Sequence, residues 1–242
     1  MSNSDYQSEI VKLKETIKNL ENEVKTLKNE NNNIIRRIDI LETIFFNQNK
    51  NKKINFDNYS NIESNETKLN FVIKQIYINN NISPDKKCNL NLIYRATRDG
   101  DDVDTYHKKT NYVPDTLTLI RTKDGYIFGG FTHIQIPNCN GANFNDDKAF
   151  IFSLDYNKIY LPQTNHWSKH SNDNYGPIFG NNENETSYPI IIYGRNFFNN
   201  NNHHTCPLKN CVYNNFSFDY ELNKGKSNFK VDEIEVYKVN FE

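Results

Sequence analysis

The sequence predicts an α+β protein: a two-sheet antiparallel β-sandwich flanked by a few helices, preceded by a long coiled-coil helix. Three observations predict it. Between Thr116 and Ile136 (TLTLIRTKDGYIFGGFTHIQI) two runs rich in β-branched and aromatic residues flank Asp124-Gly125, a strong hairpin-turn signal. From Ile10 to Phe45 apolar residues recur in alternating steps of three and four, the period of a coiled-coil seam. Between and beyond these stretches lie many short strand-like runs separated by turn residues, the spacing of a sandwich.

The first element is the coil. Ile10, Ile17, Val24, Asn31, Ile38 and Phe45 fall at the first seam position, with Leu13, Leu20, Leu27, Ile34 and Leu41 at the second. β-branched residues at one position and Leu at the other favour a parallel pair, and a single Asn such as Asn31 fixes register at some cost in stability. In that pair Glu9 meets Lys14, Glu23 meets Lys28 and Arg37 meets Glu42 of the second chain, all attractive. A homodimer through a rod roughly 50 Å long is expected, at 1.5 Å per residue; a lone helix folded against the body is the alternative.

Residues 47–61 lose this period and become polar, so the expected organisation is a coil over 1–46, a flexible linker over 47–61 and a folded domain over 62–242. Glu66 to Ile78 places Leu69, Val72, Ile73, Ile76 and Tyr77 on one helical face, with a strand as the alternative. Leu90 to Thr97 reads as a buried strand, and Asp101 to Lys109 as a short helix with acidic residues in its first turn.

The central hairpin follows. A two-residue turn at Asp124-Gly125 pairs Lys123 with Tyr126, Ile120 with Gly129 and Leu119 with Gly130, and Gly129 and Gly130 imply a bulge or a close crossing. Further strands are expected at 149–155, 158–161, around Trp167, and at 176–180, 188–193 and 212–218. The last run, Phe229 to Val239, alternates apart from a slip at Asp232-Glu233 that reads as a bulge.

Composition narrows the function classes. Net charge is −1 without a long basic run, which argues against nucleic acid. No stretch approaches the roughly 20 apolar residues that span a bilayer, and the N-terminus is polar, so a soluble, cytoplasmic protein without membrane insertion is expected. Cys88, Cys139, Cys206 and Cys211 are too few and scattered for a secreted disulfide framework. The 43 Asn residues crowd into runs that read as loop filler.

Taken together, LIYRATRDG (92–100), the helix around His107, TLTLIRTKDGYIFGGFT (116–132), KAFIFSLD (148–155), YGPIFG (175–180) and FKVDEIEVYKV (229–239) resemble a TLDc domain over roughly 62–242. The resemblance implies a sandwich flanked by helices and marks Arg95, Arg98, Asp99, Gly100, Gly129, Gly130, Gly176, Gly180, Glu233 and Glu235 as motif residues. It also implies an internal clasp in which the acidic pair on the last strand closes against the arginine strand. The best-known relatives, the oxidation resistance proteins, support defence against oxidative stress and bind the vacuolar proton ATPase (V-ATPase), so a protein partner such as V-ATPase subunits, and a location peripheral to V-ATPase-bearing membranes, are expectations of the resemblance. Where the family often has Gly-Gly and an acidic run, this chain reads Gly180-Asn181-Asn182-Glu183.

No constellation carries a reaction by itself. Asp99, Asp101, Asp102 and Asp104 lack the spacing of a calcium loop, and His203, His204, Cys206 and Cys211 lack firm zinc spacing. His107 has no identified nucleophile and reads as a structural helix histidine. The expected function is a non-catalytic binding module without cofactor or metal; thiol-based peroxide chemistry is the alternative, with the arginine and glutamate clasp read as structural.

Overall fold

A computed structural model of the chain describes residues 7, 9–10, 12–28, 30–31, 55–56, 60–63, 66–83, 85–163, 168–180, 188–194, 196–198, 203–204, 213–214 and 216–242. They divide into two compact units, Met1–Asn51 and Lys52–Glu242.

In the first unit residues 12–28 form helix α1, with residues 7, 9, 10, 30 and 31 also helical. Every seam side chain described from Ile10 to Leu27 is 42–62% exposed within the single chain. The seam positions Ile34, Ile38 and Leu41, and Phe45, lie outside the described residues.

The second unit contains, in chain order, β1 (Asn55–Phe56), α2 (Glu66–Asn79), β2 (Cys88–Arg95), α3 (Ala96–Asp99), α4 (Val103–Thr110), β3 (Thr116–Thr122), β4 (Ile127–Thr132), β5 (Asn140–Phe144), β6 (Phe150–Ser153), β7 (Lys158–Tyr160), β8 (Lys169–Asn172), β9 (Tyr175–Phe179), β10 (Ile190–Tyr193), β11 (His203–His204), β12 (Asn228–Phe229) and β13 (Val231–Phe241). One sheet runs β1-β2-β13-β3-β4-β6-β7 and the other β12-β11-β10-β9-β8-β5, antiparallel except for the β1–β2 pair. The predicted two-sheet architecture with few helices is the one observed.

The last strand occupies the middle of the first sheet, between β2 and β3. Ile234 and Val236 pair with Ile120 and Thr118 and face the second sheet, joining Tyr94, Phe128, Phe179, Ile190 and Ile192 in the core. Leu117, Leu119, Phe131 and Tyr237 occupy the opposite face and are also buried. Helix α2 buries Leu69, Val72, Ile73 and Ile76, sets the Tyr77 ring edge-on to Phe241 at 4.9 Å and anchors Asn79 to the Lys148 carbonyl at 3.0 Å. Each such fully buried aliphatic side chain contributes roughly 1.5–3 kcal/mol.

The hairpin differs from its expected register by one residue. Leu119 faces Gly129 and Thr118 faces Gly130. The Gly125 N–H donates to the Thr122 carbonyl, the Thr122 N–H to the Tyr126 carbonyl, and Gly125 has φ +86°. This is a three-residue loop, Lys123 to Gly125, closed by a left-handed glycine, not the two-residue turn expected from Asp-Gly. The slip also changes faces: Phe128, expected beside Leu117 and Leu119, lies with Ile120, and Phe131, expected beside Ile120, lies with Leu117.

The expected strand 229–239 divides in two. Phe229 pairs with His203 in the second sheet, and the chain crosses at Lys230 to begin β13, where the expected irregularity lies between Val231 and Glu233. Over the expected 212–218 strand, Tyr213 makes an isolated bridge to Pro162, and its hydroxyl donates to the Ser168 carbonyl at 2.7 Å. Strand β5 was not expected, because NGANF has neither alternation nor a β-branched residue. Trp167 lies outside the described residues.

The stretch expected as linker also contains ordered pieces. Asn55–Phe56 pairs with β2, and Ser60 and Asn61 bond to Glu235. Polarity marked these residues as linker, but their hydrogen bonds to the domain tie them to it.

Candidate functional site

Glu235 collects four hydrogen bonds in a fully buried position. Its Oε1 accepts from Arg95 Nε at 2.7 Å and from the Asn61 N–H at 2.8 Å; its Oε2 accepts from Ser60 Oγ at 2.6 Å and Tyr237 OH at 2.9 Å. Register explains the pairing: Glu235 lies directly opposite Arg95 on β2. Ser60 in turn accepts the N–H groups of Ile62 and Glu63, a turn carried by the Ser-x-x-Glu pattern of Ser60 to Glu63.

Glu233 has other partners. It is 1% exposed and accepts from the Thr97 N–H at 3.1 Å, from the Ile234 N–H at 3.0 Å and from Thr97 Oγ1. Arg98 turns to Asp99, with Nη2 at 2.7 Å, and Asp99 also takes the Arg95 N–H at 2.9 Å and Lys109 Nζ at 3.1 Å. Burial acts to raise the Asp99 pKa, but Arg98, the Arg95 N–H and Lys109 outweigh it and hold the carboxyl at about 2. Of the residues expected in the clasp, Arg95 and Glu235 therefore meet directly, Glu233 closes onto α3 through Thr97, and Arg98 and Asp99 form a neighbouring pair.

The motif glycines serve close approaches. The Gly100 carbonyl accepts from Tyr94 OH at 2.8 Å, the Gly176 backbone lies under the Phe197 ring, and the Gly180 N–H donates to the Ser168 carbonyl at 2.8 Å. A Cβ on Gly129 would lie 1.9 Å from the Thr118 carbonyl oxygen, and one on Gly130 within 2.5 Å of the Phe179 ring.

The acidic run is also absorbed by the fold. Asp102 caps α4 by accepting the Thr105 N–H at 2.8 Å, and the Asp101 carboxylate accepts the Phe198 N–H at 3.3 Å. His107 faces the Asn111 side-chain oxygen at 3.0 Å and the carbonyls of Asn172 and Tyr175 at 3.2 and 3.0 Å, so it ties α4 to the β8–β9 turn. Among the described residues no group of three or more His, Cys, Asp or Glu side chains could hold a metal ion. Cys206 and Cys211 lie outside the described residues. Cys88 is buried, and burial pushes its thiol up to about 12, the reverse of what an attacking thiolate needs. Cys139 is half-buried, its Sγ 3.8 Å from the Ser171 carbonyl. No helix among the described residues is long and apolar enough to cross a membrane.

Sequence reasoning missed two buried charges between the sheets. Asp146, 1% exposed, accepts from Thr132 Oγ1 and the His133 N–H, both at 2.7 Å, and from the Lys148 N–H at 3.1 Å. In sequence it stands in NFNDDK and looks like loop filler. Lys169 is 5% exposed and shares the inner face with its cross-strand neighbour Phe179, whose ring centroid lies 3.7 Å from Nζ. Its strand reads KHSN and gives no apolar signal.

Burial pushes the Lys169 amine down from 10.5 to about 7, with the Asp146 charge acting the other way. Between these values the unfolded chain holds a proton that the folded chain does not, so stability rises with pH across roughly pH 7 to 10.5. Lys169→Met is expected to be more stable than the native protein at neutral pH and to lose most of that slope. Thermal midpoints of both proteins across the window check this; parallel curves would refute it.

A groove of about 450 Å³ opens on the surface between α4, Tyr112, Asn138 and Asp173, with His107 and Asn111 in its lining. No curated protein matches the chain. A family model described as the TLDc domain matches residues 58–240, well over half of the chain and including every motif residue from Arg95 to Glu235. The matched span takes in every strand from β2 to β13 but for the final Phe241 and begins just before Ser60, where the chain first bonds to Glu235, and the chain belongs to the TLDc family.

Proposed function

We propose that this protein is a non-catalytic binding module, paired by its N-terminal helix, whose TLDc domain docks a protein partner. The observation that carries the reading is the seam. Ile10, Leu13, Ile17, Leu20, Val24 and Leu27 leave an apolar stripe 42–62% exposed on a helix with complementary charges at its flanks, and a second copy is the occupant that satisfies both. The domain's acidic pair and arginine are spent on internal hydrogen bonds, which supports a structural role for them. Burial of Cys88 argues against that thiol as the seat of peroxide chemistry.

The family resemblance supports V-ATPase subunits as the partner and a part in oxidative-stress resistance, at the cytoplasmic face of membranes that carry the pump. Two domains on one rod raise the effective local concentration at a multi-subunit target without any new contact. Sedimentation of the full chain is expected to give a dimer, and Leu13→Glu with Leu20→Glu a folded monomer. The same variant should capture V-ATPase subunits from lysate more weakly but not lose them. A native chain that sediments as a monomer would end the pairing, and a purified protein that consumes peroxide through its cysteines would end the non-catalytic reading.

A further inference from the structure

We propose that the chamber between the two sheets binds a small monovalent anion of halide size, held by the Lys169 ammonium and the hydroxyls of Thr116 and Thr118. The chamber measures about 30 Å³ and is lined by these three residues together with Thr110, Thr132 and Ser171. Its hydrogen-bonding groups divide into those already committed and those that are not. Thr132 donates to Asp146, Thr110 to the Tyr106 carbonyl and Ser171 to the Pro137 carbonyl. Thr116 and Thr118, 6% and 3% exposed, make no side-chain hydrogen bond among the described residues, and Lys169 has no carboxylate within ion-pairing distance there. Its one close partner among them is the face of the Phe179 ring.

The uncommitted groups are therefore an ammonium, which only donates, and two hydroxyls, which can. A water molecule must place two protons of its own, whereas a halide accepts from every side. A buried ammonium with no ion-pair partner is costly, and a ring face offsets only part of that cost. An anion supplies the missing charge. The chamber's volume of about 30 Å³ exceeds the roughly 10–15 Å³ that one water needs, which leaves room for a chloride.

His107 and Asn111 line both this chamber and the surface groove, which places the two side by side. The titratable groups facing the chamber are Lys169 and His170 on β8, and Tyr106 and His107 on α4, with Asp146 behind Thr132. Asp146 carries one negative charge, which favours a singly charged occupant over a doubly charged one. Since burial lowers the Lys169 amine to about 7, anion affinity falls as pH rises through neutrality.

The test compares thermal midpoints of the full chain in sodium chloride, sodium bromide and sodium gluconate at equal ionic strength. Near about pH 6, chloride and bromide are expected to raise the midpoint by about 3 °C over gluconate, with little difference near about pH 9. Lys169→Met and Thr118→Val, which conserve volume, should each lose the increment while remaining folded. Crystals grown in bromide should show an anomalous peak beside Lys169 Nζ. Equal midpoints in the three salts, an increment that survives in either variant, or a chamber that holds water only in the bromide crystal overturns the proposal.

Discussion

Replacing Glu235 by Ala is expected to destabilise the sandwich by about 3–5 kcal/mol, the range for removing one partner of a buried ion pair. The loss is large because four donors converge on one carboxylate: Arg95 Nε, the Asn61 N–H, Ser60 Oγ and Tyr237 OH. Arg95 is only 12% exposed along its side chain, so water cannot fully replace its partner. Chemical denaturation of the full chain, followed through the transition of the folded domain, measures the effect. Glu235→Gln keeps the shape and part of the hydrogen bonding and should lose less. A change below about 1 kcal/mol in Glu235→Ala would show that the cluster is solvated in solution and is not the closure of the domain.

Gly129→Val and Gly130→Val are each expected to cost more than about 2 kcal/mol, for different reasons. At Gly129 the new Cβ would fall 1.9 Å from the Thr118 carbonyl oxygen, so a main-chain atom of the paired strand must move. At Gly130 it would meet the Phe179 ring, which reaches across from the second sheet and also carries the Lys169 ammonium on its face. Neither glycine needs a left-handed backbone; at Gly130 the Phe179 ring supplies the close crossing that was one of the two expected causes, while Gly129 is crowded by its own hairpin partner. The damage should therefore spread differently. Gly130→Val should disturb the inter-sheet chamber and shift the pH dependence assigned to Lys169, while Gly129→Val should act through the first sheet. Unchanged midpoints in both variants would show the crossing to be slack.

The sequence by itself determined what depends on local pattern. The hairpin, the buried runs at Leu90 and Phe150, the helix beginning at Glu66 and the irregularity near Asp232 follow from period, β-branching and turn residues within a few positions of one another. The motif residues that carry the TLDc resemblance were legible for the same reason, each block being a short continuous run. Tertiary structure decided what depends on distant partners. One residue more in the Asp124-Gly125 loop moved the partner of every residue on β3, because register follows from how the whole turn closes. Phe229 left its run for the second sheet, where His203 supplies a partner 26 positions away. Ser60 and Asn61, polar and unpatterned, became part of the domain through one carboxylate on the last strand. Lys169 and Asp146 look like surface residues in sequence, since polarity predicts exposure until a second sheet closes over them. Burial is a property of the assembled layers and not of the residue, which is why the buried charges between the sheets became visible only in the fold.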